Sequence, residues 1–170
     1  MNYFSIASLA LVAALGQARG QAAGVDAAPV DAWPMYRGTA SLTGVSKSKL
    51  GTSLKPLWTF KAEEGIHSTA AIADGKVYVG CDDGHLYALD FKTGKKLWAF
   101  ATDDIVESSP LVHNGRVYFG SSDGFVYALT AADGKLLWKF ETEDRVLGAP
   151  NLFQPSGGEA KPALIVGSYD

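Results

Sequence analysis

The chain has 170 residues, 47% of them hydrophobic and 19% charged, with a formal net charge of −3. These values suit an ordinary soluble globular protein, and the slight acidity gives no reason to expect nucleic acid as a partner, since phosphate binding needs a basic face. Nineteen glycines, many Val and Tyr, and no long amphipathic helical pattern point to β-structure rich in turns.

Residues 1–23 read as a secretory signal peptide. The apolar run FSIASLALVAALG (4–16) is too short to span a bilayer comfortably and leads into the small residues of QARGQAAG (17–24). Ala18 and Gly20, or Gly20 and Ala22, fit the −3 and −1 positions of a cleavage site, although Met1, Asn2 and Tyr3 add no basic side chain. The alternative is a buried N-terminal helix. No Cys follows the run, so a lipid anchor is not expected; the expected location is periplasmic or secreted, with no transmembrane span. Residues 24–54 form an N-terminal lead-in segment, and 55–170 carry repeats. Cys81 is the one cysteine, read as a small apolar strand residue in the absence of a CxxC or a partner motif.

Trp58, Trp98 and Trp138 recur every 40 residues. VYVG (77–80) returns as VYFG (117–120), and DDGHLYAL (82–89) as SDGFVYAL (122–129). LIVG (164–167) is a third copy, displaced by a Gly- and Pro-rich insertion, QPSGGEAKP (154–162). Each unit divides into four short strands; in the second copy these are expected at about 108–113, 116–121, 125–130 and 136–141. Asp74-Gly75, Asp83-Gly84, Asn114-Gly115, Asp123-Gly124 and Asp133-Gly134 separate them and predict two-residue hairpins. Alternation sets Val117 and Phe119 against Tyr118, and Val126 and Ala128 against Tyr127 and Leu129, so both faces are apolar and need cover. A four-stranded antiparallel unit of about 40 residues, repeated in tandem, is the pattern of a β-propeller blade. The predicted fold class is all-β, an incomplete propeller of about two full blades plus partial ones.

The phrase ALDFKTGKKLW (88–98) and its copy ALTAADGKLLW (128–138) resemble the tryptophan-docking motif of PQQ-like, quinoprotein-type propellers. Ala88, Gly94 and Trp98 fill the motif, and Ala128, Gly134 and Trp138 fill it again. The resemblance implies that Gly94 turns into the outermost strand and that Trp98 reaches a neighbouring blade where Ala88 leaves room. Trp58 is the third aromatic in this phase. A row of ligand-stacking aromatics is the alternative, and the shared repeat phase favours packing. The lead-in WPMYRGTASLTG (33–44) is similar to the segment that precedes the first blade in exported members. That family includes quinoprotein alcohol dehydrogenases and the BamB lipoprotein of outer-membrane assembly.

Nothing in 25–53 resembles the strands that should precede Trp58, and the third copy stops at VGSYD (166–170). Closure in the family takes seven or eight blades, roughly 280–320 residues. A truncated fragment is therefore expected, with the C-terminal blades needed for closure missing.

No G-x-S-x-G, H-E-x-x-H, P-loop or G-x-G-x-x-G is present, so no catalytic residue is assigned. His67, His85 and His113 fall at three repeat phases and read as ordinary polar residues. The blade-to-blade loops each carry an acidic pair: Glu63-Glu64, Asp103-Asp104 and Glu143-Asp144. Beside them His67, Glu107 and Leu147 occupy one repeat position that varies. Together with His67 and Glu107 the acidic pairs form a candidate rim for a cation, cofactor or basic partner; solvated loops charged for solubility are the simpler alternative. The expectation is an exported noncatalytic scaffold that binds an envelope protein or a small ligand at the funnel, without cofactor. The alternative is the N-terminal part of a PQQ- and Ca²⁺-dependent alcohol dehydrogenase, where the resemblance would imply a vicinal Cys pair that this chain lacks.

Overall fold

The computed structural model describes residues 8–12, 32–46, 52–153 and 162–170. The cleavage-site residues and most of the 154–162 insertion lie outside these. Twelve strands and no helix occur among the described residues. β1 (Ser8–Val12) pairs antiparallel with β2 (Pro56–Lys61). The first full blade runs β3 (Ala71–Ala73), β4 (Lys76–Gly80), β5 (His85–Asp90), β6 (Lys96–Ala101). The second runs β7 (Leu111–His113), β8 (Arg116–Gly120), β9 (Phe125–Thr130), β10 (Leu136–Glu141). β11 (Asn151–Phe153) and β12 (Ala163–Ile165) pair as the start of a third.

Two expectations need correcting. The strand that carries Trp58, for which nothing in 25–53 offered a neighbour, has one: β1, from within the apolar run at 4–16, pairs along it. The innermost strand of the second blade starts at Leu111 rather than near 108. Pro110 has no N–H to give a ladder. Ser108 and Ser109 turn to neighbouring repeats instead: Ser108 Oγ donates to Gly148 O at 2.8 Å, and Ser109 Oγ accepts from Thr69 N at 2.8 Å.

The hairpins also divide into kinds. Asp74 and Gly75 have φ of 50° and 71°, and Asn114 and Gly115 have 49° and 69°, so these are the expected two-residue turns. At Asp83-Gly84 and Asp123-Gly124 only the glycine has positive φ. There the aspartate anchors a longer loop: Asp83 accepts from His85 N and from the Tyr87 hydroxyl, and Asp123 accepts from Phe125 N and from the Tyr127 hydroxyl. Burial, then the bonded carboxylate, pushes both tyrosine hydroxyls up in pKa.

The alternation places the core between sheets. Tyr78, Leu86 and Ala88 of the first blade meet Val117, Phe119, Tyr127 and Leu129 of the second in one buried cluster. On the other side of the first blade, Val77, Val79, Tyr87 and Leu89 pack with Cys81, Ala62, Trp58 and Phe60. The central strands β4, β5 and β9 thus bury both rows, as stacked blades require. Trp138 and Phe140 are the counterparts on the second blade's far face, and they are 38% and 65% exposed.

Trp98 sits directly opposite Ala88 in its own sheet. The room that the neighbouring blade offers comes from Gly134, where a Cβ would lie 2.6 Å from the Trp98 ring. Trp58 lies in the same way on Gly94 of the first blade. Ala88 therefore makes space from within the blade, a correction to its expected place. The two rings differ in polar satisfaction. Trp58 Nε1 donates to Phe91 O at 2.8 Å, whereas buried Trp98 Nε1 has no partner. The corresponding acceptor, Ala131 O, is taken by the Tyr78 hydroxyl at 3.1 Å. Burial pushes that hydroxyl up to a pKa of about 12.

A second pair of glycines sets the blade spacing. At Gly80 a Cβ would overlap the Val106 carbonyl oxygen, and at Gly120 it would lie 2.5 Å from the Val146 oxygen. Val106 N and Val146 N donate to Cys81 O and Ser121 O, both at 3.0 Å, so the chain entering each next blade is held against the preceding one.

Candidate functional site

Strand polarity gives the sheet array two faces. One face carries the blade-to-blade loops (62–67, 102–107, 142–147) and the turns after β4 and β8. The other carries the two-residue turns and the Gly94 and Gly134 turns.

The lead-in segment crosses the inner strands. Trp33 N donates to Ile72 O at 2.7 Å, Ile72 N returns a bond to Trp33 O at 2.7 Å, and Val112 N donates to Pro34 O at 2.7 Å. Ile72 and Val112 are repeat equivalents, 40 residues apart. Asn151 Nδ2 of the third unit donates to Ala40 O at 3.3 Å. The segment is thus a strap over the inner edges of three successive units. Gly38, at φ 80°, brings the strap close to the Trp33 ring, 2.9 Å from where a Cβ would sit.

On the loop face, the acidic pairs divide by role. Asp104 Oδ1 accepts from Ile105 N, and Asp144 Oδ1 from Arg145 N, both at 2.7 Å, so these two close their own loops. Glu63, Glu64, Asp103 and Glu143 are exposed. The three loops contain one Lys or Arg, Arg145, which lies 3.7 Å from Asp144. The face is therefore strongly acidic, which attracts cations and basic surfaces.

At the inner end of this face the structure brings together two residues of the expected rim. His67 and Glu107 belong to successive units, and His67 Nδ1 lies 3.7 Å from Glu107 Oε1. Asp82, in the turn after β4, is the third member, 2.9 Å from His67 Nδ1. Sequence reasoning missed Asp82 because it reads as half of an ordinary turn; the available signal was that its repeat counterpart is Ser122. His85 stays apart and bonds to Asp83. Cys81 is fully buried and points its thiol at Glu64 O, 3.7 Å away. Burial raises the thiol pKa to about 11, so at neutral pH it is a protonated packing group rather than a nucleophile.

An apolar cleft of about 570 Å³ opens elsewhere, between the far face of the second blade and β12, lined by Val126, Trp138, Phe140, Leu164 and Val166. It lies where the third unit stacks, on the face whose counterpart is core in the first blade.

Two four-stranded antiparallel sheets stacked face to face, with Trp98 of the first laid on Gly134 of the second, define an incomplete β-propeller. Residues 51–158 match the family described as outer membrane protein assembly factor BamB. The chain belongs to this family of PQQ-like repeat propellers. Among solved structures it is similar to quinohemoprotein alcohol dehydrogenase from Comamonas testosteroni, with TM-score 0.66 and 26% identity over 72% of this chain and 22% of that one. It is also similar to BamB from Moraxella catarrhalis, with TM-score 0.48 and 25% identity over 51% of this chain and 28% of that one. An uncharacterized protein of Methanocaldococcus jannaschii is 50% identical over 40 residues, 24% of this chain and 5% of that protein. The chain thus spans well under a third of each of these relatives. Among the described residues no helix is long and apolar enough to cross a membrane.

Proposed function

We propose that the chain belongs to an exported, noncatalytic propeller that binds a basic protein surface in the cell envelope through its acidic loop face. One observation carries this reading: loops from three successive units present exposed carboxylates on one face, while the lead-in segment straps the inner edges. The family's description as an outer-membrane assembly factor supports an envelope role. The apolar run at 4–16 supports export. The half-open Trp138 and Phe140 face suits a further blade of the same kind.

A second reading, part of a PQQ- and Ca²⁺-dependent alcohol dehydrogenase, has the similarity to the Comamonas enzyme in its favour. The described residues do not fit that group: Cys81 is single, buried and without an adjacent cysteine.

A photo-crosslinking residue placed at Glu64, Asp103 or Glu143 is expected to capture one discrete envelope protein, with basic surface, in intact cells. The same residue at Lys92 or Ala132, on the opposite face, is not. With the photo-crosslinking residue moved to exposed Glu63 of the same face, the combined change Glu64→Lys, Asp103→Lys, Glu143→Lys should abolish capture and leave the melting temperature unchanged. Equal capture from both faces, or capture that survives charge reversal, would refute the assignment.

A further inference from the structure

We propose that His67, Asp82 and Glu107 form a site for a divalent transition-metal ion at the inner seam between the first two blades. One donor atom from each residue lies within 4.8 Å of the others. His67 Nδ1 is 2.9 Å from Asp82 Oδ2 and 3.7 Å from Glu107 Oε1. Two ligands of one tetrahedral ion, each at about 2.1 Å, stand roughly 3.4 Å apart, so small side-chain rotations bring all three onto a common ion. Asp82 and Glu107 are partly buried, and neither pairs with Lys or Arg among the described ion pairs.

The repeat supplies an independent observation. At the three positions that meet here no two units agree, as expected where blade packing does not dictate the residue. Gly65 stands where the other units have Ile105 and Arg145; His67 where they have Glu107 and Leu147; Asp82 where the second has Ser122. Gly65 is part of the cradle, since a Cβ there would lie 2.7 Å from Asp82 Oδ2 and 3.4 Å from His67 Cε1. A side chain at that position would drive the carboxylate out of the cluster.

One imidazole nitrogen and two carboxylates suit Zn²⁺, Co²⁺ or Mn²⁺ better than Ca²⁺, which prefers an all-oxygen shell of six to eight ligands. The His67 side chain is 66% exposed, so the remaining coordination positions face water. The carboxylates of Glu63, Glu64, Asp103 and Asp104 raise the local cation concentration. Because its ligands come from two blades, the ion would clamp the seam. The site stands independently of the scaffold reading, which the crosslinking result decides separately.

The test is calorimetric titration of the full chain, stripped with EDTA, with ZnCl₂ and with CoCl₂. One ion per chain should bind, and bound Co²⁺ should give visible d–d absorption. His67→Ala and Glu107→Gln should each weaken binding at least tenfold, whereas His85→Ala should leave it unchanged. Zn²⁺ should raise the melting temperature of the parent chain and not that of His67→Ala, a variant on an exposed side chain that leaves the core intact. The proposal is overturned by absence of saturable one-to-one binding, by equal affinity in His67→Ala and Glu107→Gln, or by Ca²⁺ binding more tightly than Zn²⁺.

Discussion

Trp98→Ala is expected to lower the unfolding free energy by about 3–5 kcal/mol, the range for deleting a large aromatic from a packed interior. The ring joins the cluster between the two full blades, meets Tyr78 at a 5.8 Å centroid distance, and covers Gly134. Alanine leaves a void at the seam that neighbouring side chains cannot fill, because Gly134 has no side chain and Ala88 only a methyl. Trp138→Ala is the internal control. That ring is 38% exposed whereas Trp98 is partly buried against the inter-blade cluster, so the loss of Trp138 should cost less. Phenylalanine separates packing from polarity. Trp98→Phe keeps most of the ring contact and removes a buried N–H that has no acceptor. Trp58→Phe deletes the bond to Phe91 O and strands that carbonyl. Urea denaturation of the five chains gives the order directly. If Trp98→Ala and Trp138→Ala melt alike, the ring is not the seam's anchor.

Gly80→Ala is expected to cost about 3 kcal/mol through overpacking, the smallest possible change with the second-largest effect. The new methyl would overlap the Val106 carbonyl oxygen and approach Val106 Cγ1 to 2.6 Å. Val106 is fully buried and tied to Cys81 O by its own N–H, so it cannot step back. Gly75→Ala serves as the comparison. It meets nothing within 4 Å, but its φ of +71° disfavours a side chain, for about 1 kcal/mol. A Gly80→Ala protein as stable as Gly75→Ala would show that the blades can part at this point.

The 40-residue period, the two faces of each strand and the blade order were legible because they rest on side-chain alternation. Three features were not. The identical Asp-Gly dipeptide closes a two-residue turn at Asp74 and a longer anchored loop at Asp83. Each aspartate has a tyrosine four residues on, but the Tyr87 hydroxyl donates to the Asp83 carboxylate whereas the Tyr78 hydroxyl donates to Ala131 O of the next blade. The strap over Ile72 and Val112 is made of backbone bonds, and any sequence could offer those atoms. At the candidate site, His67 and Glu107 could be singled out because their repeat position varies. Asp82 joins them only through the fold of a neighbouring turn, and its sign in the sequence was that the repeat counterpart is Ser122. The docking glycines illustrate the same limit: the motif identified Gly94 and Gly134, yet which blade each serves is a matter of three-dimensional order. Trp58 reaches forward to Gly94 and Trp98 to Gly134.

One measurement separates the proposed noncatalytic scaffold from the dehydrogenase alternative. The most direct test is to incubate the full-length protein with PQQ and Ca²⁺, remove free cofactor, and follow dye-coupled oxidation of a primary alcohol. The expected result is no stoichiometric retention of PQQ and no dye reduction above that of protein without PQQ. Retention of one PQQ per protein with Ca²⁺-dependent alcohol oxidation would contradict the noncatalytic assignment.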